Sequence, residues 1–147
     1  MSIKIVSENR KARFDFHILE TFEAGMVLRG SEVKSLRGGH CQLKDSYVVF
    51  QGSEMFLQNA HIGPYAPSGS FSHDPERKRK LLMHRNQIDR LAGMVQEKGL
   101  TLVPLKVYFL KGRAKVEVAV AKGKKRFDKR ESIKERESQR EMSRVKR

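Results

Sequence analysis

The clearest pattern in the chain is a two-residue alternation near its C-terminal third. In Arg113-Ala-Lys-Val-Glu-Val-Ala-Val-Ala121, Val116, Val118 and Val120 share one side of an extended chain, while Lys115 and Glu117 share the other. This period predicts a strand with one buried face. Leu100 to Leu110 is a β-branched and aromatic run, and Lys111-Gly112 predicts a tight turn joining the two into a hairpin. A second hairpin is expected from Ser46-Tyr-Val-Val-Phe50 to Glu54-Met-Phe-Leu57, turning at Gly52-Ser53. Phe14 to Leu28 reads as a long first strand bent at Gly25, as a curved or closed sheet requires.

Two helices interrupt these strands. Ser31 is placed to cap Glu32-Val-Lys-Ser-Leu-Arg37, and Gly38-Gly39 stops it. Ile88, Leu91, Ala92 and Val95 fall at helical spacing, with Gly99 as a stop and His84 and Gln87 as a capping box. Ile62 to Arg77, with Gly63, Pro64, Pro67, Gly69 and Pro75, reads as a long exposed loop. The expected fold is mainly β: a small antiparallel barrel of the OB type with two or three short helices. A half-open sandwich gives similar signals.

Charge changes the picture at the end of the chain. Lys122 to Arg147 holds twelve basic and five acidic residues and almost no aromatics. The division expected is a barrel over residues 1–121 and a basic tail over 122–147. The tail lacks the apolar side chains that would offset its ordering entropy, so it is expected to be disordered when free. Pairs such as Glu131–Lys134 and Glu137–Arg140 favour a helix by only about 0.2–0.5 kcal/mol each. A partner must supply the rest, with Ile133 as a possible apolar anchor.

The whole chain of 147 residues carries 31 Lys and Arg against 17 Asp and Glu, a net charge of +14. A polyanionic partner is the usual reason for such an excess. No apolar run approaches the roughly 20 residues that span a bilayer, and neither a signal peptide nor a prenylation box is visible. The single cysteine, Cys41, fits a reducing compartment. A cytoplasmic, membrane-free protein is expected.

Enzymatic machinery is hard to find. His17, His40, Cys41, His61, His73 and His84 have no metal-ligand spacing, so neither metal nor cofactor is expected. Glu20, Glu23 and Glu32 crowd one region, and a magnesium-dependent nuclease would need them to face one cleft. Lys122-Gly-Lys-Lys125 is no phosphate loop, and Lys111 to Val118 lacks the stacking aromatics of an RNA-recognition motif. The basic clusters carry more weight. Arg77-Lys-Arg-Lys80, Asn9-Arg-Lys-Ala-Arg13 and the pair Lys34 and Arg37 together suggest a surface that follows a nucleic-acid backbone.

Several runs, taken in order, closely resemble the SmpB family, the tmRNA-binding factors of bacterial trans-translation. They are Asn9-Arg-Lys-Ala-Arg13, Phe22-Glu-Ala-Gly25, Gly30-Ser-Glu-Val-Lys-Ser-Leu-Arg37, Asp45-Ser-Tyr47, Asp74-Pro-Glu-Arg-Lys-Arg-Lys-Leu-Leu82, Ala121-Lys-Gly-Lys-Lys125 and Asp128-Lys-Arg130. The resemblance implies a non-catalytic OB-type factor, one monomer per tmRNA, that binds the tRNA-like domain. With elongation factor Tu on the charged tmRNA, it would enter the A site of a stalled ribosome. Its tail would probe the 16S rRNA decoding centre and the mRNA channel and become helical there. Glu23, Leu82 and Lys115 match family positions tied to tmRNA binding, and Lys11, Arg13, Lys34, Arg37, Arg79 and Lys80 are the expected supporting contacts. Asp128, Lys129 and Arg130 match the tail motif needed for accommodation, with Lys122, Lys124, Lys125, Arg126 and Ile133 as further ribosome contacts. Phe127 stands where several relatives carry a histidine or another ring; it keeps stacking but loses a titratable donor. Relatives often carry an apolar pair near the end, whereas here Met142 and Val145 are separated by Ser143 and Arg144. A different ribosome-associated OB module would share the charge and the barrel without selecting tmRNA.

Overall fold

The computed structural model describes residues 3–65, 73–124 and 126–145, with the side chains of 97–98, 126–128, 131–132 and 141–145 outside that description. In chain order the elements are β1 (Lys4–Glu8), α1 (Arg10–Asp15), β2 (Phe16–Met26), α2 (Gly30–Arg37), β3 (Cys41–Gln42), β4 (Tyr47–Gln51), β5 (Glu54–Gln58), β6 (His61–Ile62), β7 (Arg79–Leu82), α3 (Arg85–Lys98), β8 (Thr101–Leu110), β9 (Arg113–Gly123) and α4 (Arg126–Val145). Seven strands form one antiparallel sheet in the order β1-β8-β9-β2-β7-β5-β4, and β3 pairs with β6 separately. The sheet curls until β4 packs beside β8. No ladder joins those two strands among the described residues, so the barrel has an open seam.

Both expected hairpins form. Lys111 and Gly112 have φ of 53° and 76°, the left-handed pair that a two-residue hairpin turn needs, and Leu110 faces Arg113 across it. Gly52, at φ 63°, turns β4 into β5. Along β9 the alternation holds: Val116, Val118 and Val120 lie in the barrel core with Ala24, Met55, Leu57, Leu81, Leu102 and Val107. Burying each Val, Leu or Met among these contributes roughly 1.5–3 kcal/mol. The opposite face of β9 is also covered at one end. There Ala119 and Ala121 pack with Val103, Leu105 and Ala12 of α1, beside Phe16 and Ile18.

Several boundaries differ from the sequence pattern. The first long strand begins at Phe16, because Phe14 and Asp15 belong to α1. Asn9 caps α1: its Oδ1 accepts from Ala12 N at 3.1 Å, and its Nδ2 donates to Leu43 O and Pro104 O. Ser31 lies inside α2, whose N-cap is Arg29, and Glu32 Oε1 accepts from the Arg29 N–H at 2.8 Å. His84 does occupy the N-cap of α3, but its side chain makes no capping bond. The loop after β6 is pinned at both ends. Ile62 N donates to Pro75 O at 2.9 Å, and His73 is buried. The ring Nε2 of His73 donates to Ile62 O, while Nδ1 meets the Ser31 hydroxyl at 2.8 Å. Residues 66–72 of that loop lie outside the described residues. Lys122 and Gly123 remain on the β9 ladder opposite His17 and Phe16, so the strand runs two residues past the expected boundary.

The tail forms the helix α4, Arg126–Val145, the conformation its i, i+3 charge pairs favour. Its early turns have an anchor on the body. Lys124 N donates to Asp15 O at 2.8 Å, Lys129 Nζ lies 3.2 Å from Asp15 Oδ1, and the Arg136 guanidinium stands 5.5 Å from the Phe14 ring centroid. Beyond that, residues 133–140 are exposed.

Candidate nucleic-acid interface

The Arg77-Lys-Arg-Lys80 cluster is split by the strand it enters. β7 alternates, so Arg79 and Leu81 turn inward while Lys78, Lys80 and Leu82 turn outward. Arg79 is fully buried. Its Nε donates to Glu32 Oε2 at 2.6 Å, and its terminal nitrogens donate to the carbonyls of Ala60 at 2.7 Å and Pro75 at 3.0 Å. Arg77 donates to the other Glu32 oxygen at 2.6 Å. Burial acts to raise the Glu32 pKa, but hydrogen bonds from Arg77, the Arg29 N–H and Arg79 outweigh it and hold it below the usual carboxylate value. Arg79, expected at an RNA contact, is therefore a structural cation with its donors committed inside the fold. The neighbouring lysines turn outward: Lys78 Nζ sits 4.6 Å from the Phe56 ring centroid, and Lys80 pairs with Glu54 at 2.9 Å.

Glu23, Leu82 and Lys115, far apart in sequence, converge around one glycine. Gly25 of β2 pairs with Leu82 of β7 on one side and Lys115 of β9 on the other. A Cβ at Gly25 would lie 3.5 Å from Leu82 Cβ and 3.8 Å from Lys115 Nζ. Glu23 is two residues back on the same outer face, opposite Glu117. An open cleft of about 310 Å³ runs between Leu82 and the β8–β9 turn, lined also by Met26, Leu28 and Arg113. Leu82 is 52% exposed, an apolar side chain at the rim of a cationic cleft. Lys115 has no carboxylate partner among the described residues, so its charge is available to an anion.

Two residues on this face escape the sequence reading. Tyr108 of β8 donates its phenol to Glu23 Oε2, reaching across β9 to do so. Lys106 bridges to Glu117 at 3.6 Å, and Arg13 approaches the same carboxylate at 3.8 Å. The available signal was the alternation of Lys106 and Tyr108 with Val107 and Phe109, which lie in the core.

The remaining sequence-predicted cations are dispersed. Lys11 pairs with Asp45 at 2.6 Å, Lys34 lies 5.4 Å from the Tyr65 ring centroid, and Arg37 is exposed at the end of α2. Lys122 is exposed on β9, and Lys124 packs beside Asp15 and Lys129. Arg130 is exposed, Ile133 is 44% exposed, and Lys129 points back to the body. Lys125 lies outside the described residues, as do the side chains of Arg126, Phe127, Asp128, Met142 and Val145.

The three glutamates of the nuclease alternative do not share a cleft. Glu20 pairs with Arg90 of α3 at 3.1 Å, Glu23 faces Tyr108, and Glu32 is buried against the two arginines. Among the described residues no group of three or more His, Cys, Asp or Glu is gathered as a metal site. No described helix is long and apolar enough to cross a membrane.

Comparison with known proteins gives a consistent neighbourhood. The model of the family described as "SmpB protein" matches residues 6–147. An SsrA-binding protein of a Sulfurihydrogenibium species is 57% identical over 142 residues, covering 97% of this chain and 93% of that protein. One from Bdellovibrio bacteriovorus is 59% identical over 136 residues, covering 92% and 90%. Among solved structures, a chain described as "tmRNA-SmpB: a journey to the center of the bacterial ribosome" superposes with a TM-score of 0.69 at 49% identity, covering 86% of this chain and 93% of that one.

Proposed function

Since this chain belongs to the SmpB family, we propose that it binds the tRNA-like domain of tmRNA and delivers it to stalled ribosomes for trans-translation. It acts as a binding factor, not a catalyst, and works in the cytoplasm. One observation carries the reading: Glu23, Leu82 and Lys115, spread over three strands, meet on one face around Gly25. That face offers a bare cation, an exposed apolar side chain and an oriented carboxylate. The combination suits a folded RNA, with its phosphates, unstacked base surface and hydrogen-bonding edges.

In the same reading, elongation factor Tu on the charged tmRNA brings the complex to the A site. The basic tail, with Asp128, Lys129 and Arg130, enters the decoding centre and mRNA channel. Lys129 must leave Asp15 for this, an exchange of one partly exposed ion pair for rRNA phosphates. A surface pair of this kind is worth only about 0–1 kcal/mol, so the exchange is easily reversible.

The test is capture of RNA from bacterial lysate on the immobilised protein. One dominant species, tmRNA, is expected. A broad smear of RNAs would support a generic ribosome-associated binder, and magnesium-dependent cleavage of the captured RNA would support the nuclease.

A further inference from the structure

Glu23 presents a problem for any RNA-binding face. A carboxylate repels phosphate, yet this one stands on the same outer face as Lys115 and Lys106. It is also held. The Tyr108 ring, only 3% exposed, lies across β9, and its hydroxyl donates to Glu23 Oε2. Lys106 Nζ stands 5.7 Å from the ring centroid and forms an ion pair with Glu117 at 3.6 Å. Burial and the adjacent carboxylate push the Tyr108 hydroxyl above its usual pKa, so it remains a donor at any physiological pH. Glu23 Oε1 has no hydrogen-bond partner among the described residues.

We infer that Tyr108 and Glu23 form one recognition device: the phenol fixes the carboxylate so that its second oxygen accepts a hydrogen bond from an N–H on the edge of an RNA base. The inference rests on the RNA-binding reading above and names the chemistry of one contact within it. An oxygen that only accepts has no use for a phosphate. The nucleic-acid groups that can satisfy it are base amino and imino N–H groups and the ribose 2′-hydroxyl. A rigid, pre-oriented acceptor gains most against a planar base edge, where a wrong group leaves it unpaired. Lys115, one strand over and without a carboxylate partner among the described residues, supplies the neutralising charge for the flanking phosphate. Tyr108 is thus a positioning residue for Glu23, and Glu23 is the residue that discriminates.

The test is a titration of two labelled RNAs, the tRNA-like domain of tmRNA and a size-matched RNA hairpin, at several salt concentrations. The proteins are the full chain and its Tyr108→Phe, Glu23→Gln, double and Lys115→Ala variants, each melted in parallel. Glu23→Gln is expected to weaken tRNA-like-domain binding about tenfold or more, the scale of one lost base contact. Tyr108→Phe should weaken it by several-fold, and the double variant should be no weaker than Glu23→Gln alone. Neither single variant should change the slope of log affinity against log salt, whereas Lys115→Ala should reduce it by about one.

If Glu23 merely repels phosphate, Glu23→Gln binds more tightly, and the inference falls. Strictly additive losses in the double variant, or a Tyr108→Phe loss explained by a lowered melting temperature, would remove the positioning role. An equal loss on both RNAs would assign the contact to ribose and overturn the base assignment. Wild-type protein that fails to prefer the tRNA-like domain overturns the family function itself. A selective wild type with unchanged Glu23→Gln and Tyr108→Phe variants overturns this inference alone.

Discussion

At the scale of single residues, charge alone does not reveal which cations meet a partner. Arg79 and Lys80 are neighbours in one basic run, yet Arg79 is buried against Glu32 while Lys80 faces outward. Removing Glu32 would leave Arg79 as an unpaired buried charge. Glu32→Ala is therefore expected to cost about 3–5 kcal/mol in denaturant unfolding, while Lys80→Ala stays within about 0.5 kcal/mol. The pH dependence follows from the sign of the shift. Glu32 titrates below its ordinary value of 4.5 in the folded chain. Its contribution is complete above that value and is lost as pH falls through the lower folded pKa. Unfolding measured between pH 6 and pH 3 should show stability dropping at the acid end, and Glu32→Gln should flatten that drop. Part of this was legible: the alternation that turns Lys78 and Lys80 outward turns Arg79 inward. That its inward side meets Glu32, 47 positions away, was not.

At the scale of elements, the parts that could be read are those whose signals are local. The β8–β9 hairpin has a continuous two-residue period and a turn whose residues accept positive φ. The helix α3 has a full apolar stripe and a left-handed Gly99 at its end. By contrast β1 shows no buried stripe, since Ile5 is 49% exposed and no residue of the strand is buried, and it pairs along the edge that β8 offers. The cap of α1 depends on the Leu43 and Pro104 carbonyls, 34 and 95 positions from Asn9. No window of local sequence contains such partners. The tail falls between these cases, for its charge pattern permits a helix and the Asp15 and Phe14 anchors supply a starting point. A chain ending at Lys124 keeps all of β9. It is expected to bind tmRNA within about threefold of the full chain, because the proposed recognition contacts lie in the body, and to lose ribosomal tagging completely. Loss of the tmRNA gel shift in that truncated chain would show that selection is not confined to the body.

At the scale of the whole molecule, the curled sheet brings distant segments to one outer face. β7, β2 and β9 place Leu82, Gly25 and Lys115 in a row, and β8 sends Tyr108 across to Glu23. The resemblance singles out Glu23, Leu82 and Lys115, but their convergence requires the strand order β8-β9-β2-β7, which skips most of the sequence. The net charge of +14 carried by the whole chain sets the physical character of the proposed binding. Affinity for RNA should fall steeply between low and moderate salt as counterions are retained by the RNA, and a flat profile in a filter-binding series would contradict a phosphate-led interface. Charge by itself would grip any RNA, whereas the proposed function assigns the choice among RNAs to the Gly25 face. The direct measurement is a competition: labelled tRNA-like domain of tmRNA bound to the full chain at physiological salt, displaced by unlabelled tRNA-like domain or by a size-matched hairpin RNA. The tRNA-like domain is expected to compete at least about 100-fold better, within the ordinary range of specific over non-specific recognition. Equal displacement by the two RNAs would contradict selection by this face.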